Sequence, residues 1–589
     1  MSTVRMHVLL VLSALLLAAC PSPMNRLTEA RSGTRPADLV IANADVFTAS
    51  EKNPWVEVLA VKDGRVAYAG PVEGAEDFVG PDTEVMDGRG GMVVPGLADA
   101  HCHPLYIGGL RGVMADLYAA NSLEEMSSTI EDWARKNADL PFVLGIGWRL
   151  EHIADRNPGS EYLDRIFPDR PAFLWSYDGH SGWVNSAGVA RMRERNPRAF
   201  RAIAPRLDDK GNATGFFLHF FDFNPFDYFS DEEIGEPTRK RILAGMEAAL
   251  DEARKAGVTT VHDIQVSRRF LPLVLRFRDE GGMKDIRVRC SLYVPHYALE
   301  DEAAFVRELE WWKEVGKSES SDHFRLGESV KLYIDGVFAN HTALMAEPYL
   351  DGAKDSGEPV WKEAALYERA IEWIDRMGIQ ACTHGCGDEG IRRIVGAYEK
   401  AIAKNGARDA RHAVEHCELP AAAEQKRMAE LGIYASMQPV ALYADEPTFE
   451  GLGIDRLQGY MPWRSMKEAG VPLAFGSDWC AAPFNPIYGL LVASLRYNYQ
   501  ENSDWGPEER LEIEETLAGY TLGGARALHW EDQIGSLEVG KRADFSLYEI
   551  DLREIDSTWF LLWHDAELGA LDDFVRMTCV DGRVVYERS

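Results

Sequence analysis

Apolar and polar residues alternate with period two in two regions near opposite ends of the chain. DLVIANADVFTAS (38–50) and EVLAVKDGRVAYAG (57–70) form the first, ADFSLYEID (543–551) and DFVRMTCVDGRVVYE (573–587) the second. Such alternation, broken by Asp-Gly pairs, predicts β-hairpins, and VKDGRV and CVDGRV are near copies of one another. Each region is too small to bury a core alone. The pattern therefore predicts one composite β-sandwich completed by sequence-distant halves, residues 37–92 and 531–589.

Between them the rhythm changes to short apolar, β-branched runs followed by segments of helical spacing. The runs fall at 96–101, 257–262, 287–294, 330–334, 379–383, 412–415, 432–437 and 472–477. Eight such units over residues 93–530 predict an α/β fold, a (β/α)8 TIM-like barrel, with its active site at the carboxyl ends of the strands. The stretch from about 104 to 240 is too long for one connection after the first strand. Its own runs, FVLGIGW (142–148) and AFLWSY (172–177), predict an inserted subdomain at the catalytic face, where insertions shape the substrate pocket.

With 589 residues, the chain is long enough for one elaborated barrel. Its formal net charge of −31 and lack of a basic stripe exclude nucleic acid as a partner, since phosphate binding needs clustered Lys and Arg. Residues 1–19 carry Arg5 and His7 ahead of an apolar run from Val8 to Ala19, ending Leu17-Ala18-Ala19-Cys20. That is the pattern of a bacterial lipoprotein signal peptide, with lipidation expected at Cys20 and a tether over 20–36. It predicts a periplasmic or cell-surface protein that meets the membrane through its N-terminal lipid anchor alone. The seven cysteines beyond Cys20 form no regular framework, which argues against structural disulfides. Cys102, Cys386, Cys417 and Cys480 lie within two residues of the candidate ligands below; without a CxxC pair they read as small buried neighbours.

Candidate chemistry concentrates at the predicted strand ends. VVPGLADAHCH (93–103) ends in His101 and His103, two residues apart and so able to share one side of a strand. His384 closes GIQACTH, His416 closes RHAVEH, Asp478 closes LAFGSD, and Lys331 lies within VKLYIDG. In a barrel these positions converge on one rim, a donor set suited to one or two divalent ions, with zinc first among them. Such ions bring water toward a pKa of about 7 and polarise a carbonyl.

The whole chain resembles the amidohydrolase superfamily, and within it the YtcJ-like branch that includes N-substituted formamide deformylases. Besides PGLADAHCH, the shared motifs are YDGHSGWVNS (177–186), GVTTVHD (257–263), VKLYIDG, THGCGDEGI (383–391), RHAVEHCEL (411–419), FGSDW (475–479), TLGGARAL (521–528) and GSLEVGKRADF (535–545). The resemblance implies that His101 and His103 hold the more buried metal and that His384 and His416 hold a second. It also implies that Lys331, as a carbamate, bridges the two, and that Asp478 touches metal and moves the proton. Within the insertion motif, His180 is expected to act on the carbonyl oxygen, with Asp178, Trp183 and Asn185 facing substrate. Ala187 and Gly188 stand where many relatives carry a bulkier pair, which leaves the pocket's shape open.

These features predict a hydrolase of a non-peptide C–N bond in a small-molecule substrate: an amide, an N-formyl group or a cyclic amide. An esterase or lactonase would use the same residues, and a non-catalytic solute-binding lipoprotein would share the fold. A single metal, with Lys331 paired to Asp335 or another carboxylate, is the alternative to the bridged pair.

Overall fold

The computed structural model describes residues 33–153, 157–203, 205–350, 355–442, 451–498, 503–556 and 574–588, with Met24, Leu27, Thr28 and Trp559. The signal segment and Cys20 lie outside the described residues. The chain divides into two compact units, Met1–Leu97 with Arg254–Thr259 and His529–Ser589, and Ala98–Ala253 with Thr260–Leu528.

The first unit contains two sheets. One has four strands in the order Arg65–Gly70, Val58–Lys62, Leu39–Ala42, Glu84–Asp87. The other has six, and here the chain ends meet: Phe545–Tyr548 pairs antiparallel with Met92–Pro95 on one side and Val575–Val580 on the other. Leu39 and Ile41 enter a core with Val93, Leu537, Phe545 and Met577, while Val40 and Ala42 face a second core with Val58 and Phe78. Burial on both faces explains why Leu39–Ala42 is apolar throughout. The two repeated hairpins turn at Asp63-Gly64 and Asp581-Gly582, all four with positive φ (50°, 74°, 50° and 68°). Those angles give the turn whose twist matches that of the flanking strands.

The second unit is built around eight strands in consecutive order: β1 Leu97–Cys102, β2 Val258–Val266, β3 Arg287–Tyr293, β4 Ser329–Tyr333, β5 Gln380–Gly385, β6 Ala413–His416, β7 Tyr434–Met437 and β8 Leu473–Phe475. Parallel ladders run from β2 to β8. The ring is drawn together at the carboxyl ends, where Asp478 N–H donates to His101 O at 2.8 Å. Asp99 reinforces that junction, accepting from Ser477 N–H at 3.1 Å and from Ser477 Oγ at 2.5 Å. The GVTTVHD motif has a packing role. His262 bonds to Ala100 O at 3.0 Å and Ser291 Oγ at 2.8 Å, and Asp263 accepts the amides of Leu105 and Tyr106 at 2.6 and 3.1 Å.

Between β1 and β2 the chain forms a separate six-stranded sheet, ordered Pro205–Leu207, Ala213–Phe217, Gly182–Val184, Ala172–Ser176, Val143–Trp148, Ala115–Asp116. Its core gathers Trp148, Leu163, Leu174, Trp183 and Phe216.

Candidate active site

A cleft of about 660 Å³ opens at the carboxyl ends of the barrel strands. His101, His103, His384, His416 and Asp478 line it from the barrel, and Trp175, Tyr177, Asp178 and His180 line it from the inserted sheet. Seven predicted residues therefore line one cavity, and an eighth, Lys331, adjoins it, its Nζ 3.4 Å from His101 Nε2.

Backbone geometry brings them together. His416 and Asp478 have φ of 68° and 58°, a left-handed conformation that costs a non-glycine residue energy and turns the chain sharply at the strand ends. The His416 ring then lies 4.7 Å from that of His101 and 4.3 Å from that of His384. His101, His103 and Asp478 place ligand atoms within 4.8 Å of one another, and so do His384, Cys386 and His416. Asp478 Oδ1 stands 3.3 Å from His103 Nε2 and 3.6 Å from His101 Nε2.

The hydrogen bonds select which nitrogens are free. His101 Nδ1 is held by Glu415 Oε2 at 2.6 Å, which leaves Nε2 facing Lys331 and Asp478. His384 Nε2 bonds to Gly336 O at 3.0 Å, while its buried Nδ1 has no partner among the described residues. Cys386 Sγ lies 3.5 Å from that occupied Nε2, so its thiol belongs to the far side of the imidazole. An imidazole with one nitrogen anchored and the other buried without a partner is the arrangement in which histidine binds a metal. The donor set fits a divalent cation.

Burial dominates the electrostatics. It pushes the imidazoles of His101, His384 and His416 well below their ordinary range, and so keeps them neutral. Burial also lowers Lys331, opposed by the carboxylates of Glu415 and Asp478. Glu415 is pushed up to about 7 by the same desolvation. Asp335 is no partner for Lys331: its carboxylate accepts the amides of Leu344, Gly387 and Cys386 at 2.8, 3.0 and 3.2 Å.

The insertion motif divides in two. Asp178 and His180 line the cleft, and Asp178 Oδ1 accepts the His180 amide at 2.9 Å, fixing the loop that presents the imidazole. Trp183 and Asn185, expected to face substrate, do not line it. Trp183 is 1% exposed, donates through Nε1 to Gly159 O at 2.9 Å and packs on Trp148 and Tyr162. Asn185 caps helix Ser186–Arg195, its side chain bonded to Gly188 N, Ala172 N, Phe167 O and Arg170 O. Their polar groups are spent inside the inserted sheet. Glu415 is the residue sequence reasoning missed, although it immediately precedes His416 in RHAVEH.

Comparison with known proteins agrees with this architecture. The chain is 29% identical over 537 residues to "Protein LONG AFTER FAR-RED 3" of Arabidopsis thaliana, covering 86% of each chain. It is 26% identical over 557 residues to "Putative amidohydrolase YtcJ" of Bacillus subtilis (92% of this chain, 98% of the relative). It is also 26% identical over 572 residues to "N-substituted formamide deformylase" of Arthrobacter pascens (94% and 99%). Among solved structures, an uncharacterised metal-dependent hydrolase of Pyrococcus horikoshii superposes with a TM-score of 0.66 at 21% identity, over 88% of this chain and 98% of the other. The family model described as "Amidohydrolase family" matches residues 84–586, and the chain belongs to that family.

Proposed function

We propose that this chain is a metal-dependent hydrolase that cleaves a C–N bond other than a peptide bond, in a small amide, N-formyl or cyclic amide substrate. The observation that carries the reading is the meeting, in one cleft, of the buried, neutral imidazoles of His101, His384 and His416 with His103 and the carboxylate of Asp478. His101 and His103 with Asp478, and His384 with His416, would hold one or two divalent ions, zinc first among them. When bound, such an ion lowers the pKa of water to about 7 and polarises the carbonyl.

The chain's own groups supply the rest. Asp478 accepts the proton of the attacking water and returns it to the leaving nitrogen, since an amine departs poorly unless protonated. His180, half-buried and held by Asp178 through its backbone, donates to the carbonyl oxygen. Lys331 is fully buried and its ammonium is disfavoured, so its neutral amine takes up CO2, losing a proton to become a carbamate that can serve as an anionic ligand. Lipidation at Cys20, with a periplasmic or cell-surface location, is a separate proposal resting on residues 1–20.

The test is hydrolysis by metal-loaded protein of N-acyl and N-formyl amines, dipeptides, cyclic imides, esters and lactones. Turnover of the N-acyl, N-formyl or cyclic amide compounds is expected. Turnover confined to esters and lactones, or none at all, would remove the C–N reading.

A further inference from the structure

A second, larger cavity of about 1090 Å³ lies behind one wall of the metal cleft. Tyr106, Phe221 and Gln265 border both spaces. The partition is hydrogen-bonded: Tyr333 OH donates to Gln265 Oε1 at 2.5 Å, Gln265 Nε2 donates to Phe221 O at 2.9 Å, and Tyr106 OH donates to Phe223 O at 3.0 Å. Phe221 also stacks on Tyr333 at 4.2 Å, and Tyr333 on His384 at 5.0 Å.

The lining combines aromatic faces with carboxylates. Phe223, Tyr293 and Phe305 contribute rings, and Asp222 and Asp227 contribute acids. Asp222 is 3% exposed in its side chain, and neither of its oxygens has a hydrogen-bond partner among the described residues. Its nearest cationic candidate, His296 Nδ1, stands 3.6 Å away. Burial raises the carboxyls of both acids, Asp227 to about 6, with Arg269 opposing that rise at Asp227 and His296 at Asp222. The cavity's other arginines are paired with glutamates: Arg198 with Glu300 at 2.9 Å, and Arg268 with Glu308, also in the lining, at 2.5 Å. A buried carboxylate with no donor is costly, and a cation with donors of its own offsets that cost. Aromatic faces favour a cation that carries an apolar substituent.

We propose that this second cavity binds an organic ammonium ion with an apolar tail, its charged head against Asp222. Ammonium binding stands by itself. The further step, that the occupant is the amine released by hydrolysis, rests on the C–N reading above.

The experiment is calorimetric titration of the metal-loaded full chain at pH 7 with 2-phenylethylamine and with its neutral analogue 2-phenylethanol. The amine is expected to bind saturably and at least about ten-fold more tightly than the alcohol, the scale of one charge-assisted hydrogen bond. Asp222→Asn should weaken amine binding by a similar factor. Ala304→Phe, placed in the cavity lining at the first turn of helix Glu302–Glu319, should block it while leaving both acids in place. Asp478→Asn should bind the amine as the unaltered chain does, which separates this cavity from the metal cleft. Absence of saturable amine binding, equal affinity for the alcohol, undiminished affinity in folded Asp222→Asn or Ala304→Phe, or loss in Asp478→Asn would each overturn the proposal. If Asp222→Asn does not fold, Ala304→Phe decides. Because binding is read without turnover, a failed hydrolysis screen leaves this result standing, and the reverse also holds.

Discussion

Asp478 is the carboxylate that faces both His101 and His103, at 3.6 and 3.3 Å. Asp478→Asn keeps its volume and its neighbours, so the variant is expected to fold and to retain much of its metal. Loss of the proton carrier should lower kcat by about 10²–10⁴-fold; steady-state kinetics beside metal analysis read both quantities. Lys331→Ala separates two roles for the lysine. A carbamate ligand predicts loss of one metal equivalent and most activity, with partial recovery on adding formate or acetate with excess metal. A merely structural lysine predicts an unchanged metal count in folded protein. The convergence of His101, His103, His384, His416 and Asp478 on one cleft was legible because each closes an apolar run, and a barrel collects strand ends on one rim. Glu415 was not legible. Strand alternation sets it on the face opposite His416, yet the left-handed turn at His416 lets one residue hold His101 while the next packs against it. Trp183 and Asn185 failed for a related reason: an aromatic and an amide in a polar motif do not disclose whether they turn toward cleft or core.

At the scale of elements, the strands carrying His384 and His416 are clamped at their other ends by one buried carboxylate. Asp375, at the end of helix Ala364–Arg376, accepts from Arg408 Nε at 2.9 Å, Asn405 Nδ2 at 2.8 Å and His412 Nε2 at 3.2 Å. His412 Nδ1 in turn accepts the amide of Ala381 in β5 at 3.0 Å, which fixes its tautomer. Burial pushes the Asp375 carboxyl up, but His412, Asn405 and Arg408 outweigh it and hold the group at about 2. A carboxyl lowered in the folded state adds stability above its unfolded pKa near 4, and that stability is lost as pH falls through 2. Asp375→Ala is therefore expected to cost about 3 kcal/mol at pH 7. This is the lower end for a broken buried pair, since the Arg408 side chain is 29% exposed and regains water. Denaturant titrations at several pH values should show the difference from the parent chain shrinking toward pH 2; a constant difference would refute the clamp. The eight barrel strands were readable from apolar runs and the hairpins from Asp-Gly turns. The strand order within the inserted sheet was not, because short strands such as Gly182–Val184 carry too few residues to show a period.

The whole chain carries a net charge of −31, and among its described residues no helix is long and apolar enough to cross a membrane. Membrane association through Cys20 is a separate proposal, resting on residues 1–20. Cys20→Ser is expected to release the protein into the soluble fraction of cells with unchanged specific activity, whereas equal membrane retention would defeat the anchor. The central claim, that divalent metal held at the rim of the barrel makes this chain a hydrolase, is tested most directly by metal removal. Protein dialysed against a chelator and then against metal-free buffer should contain almost no metal, retain its fold by circular dichroism and lose hydrolysis. Zinc or another divalent ion, added back to one or two equivalents per chain, should restore it. Full activity in chain shown to be metal-free would contradict the account.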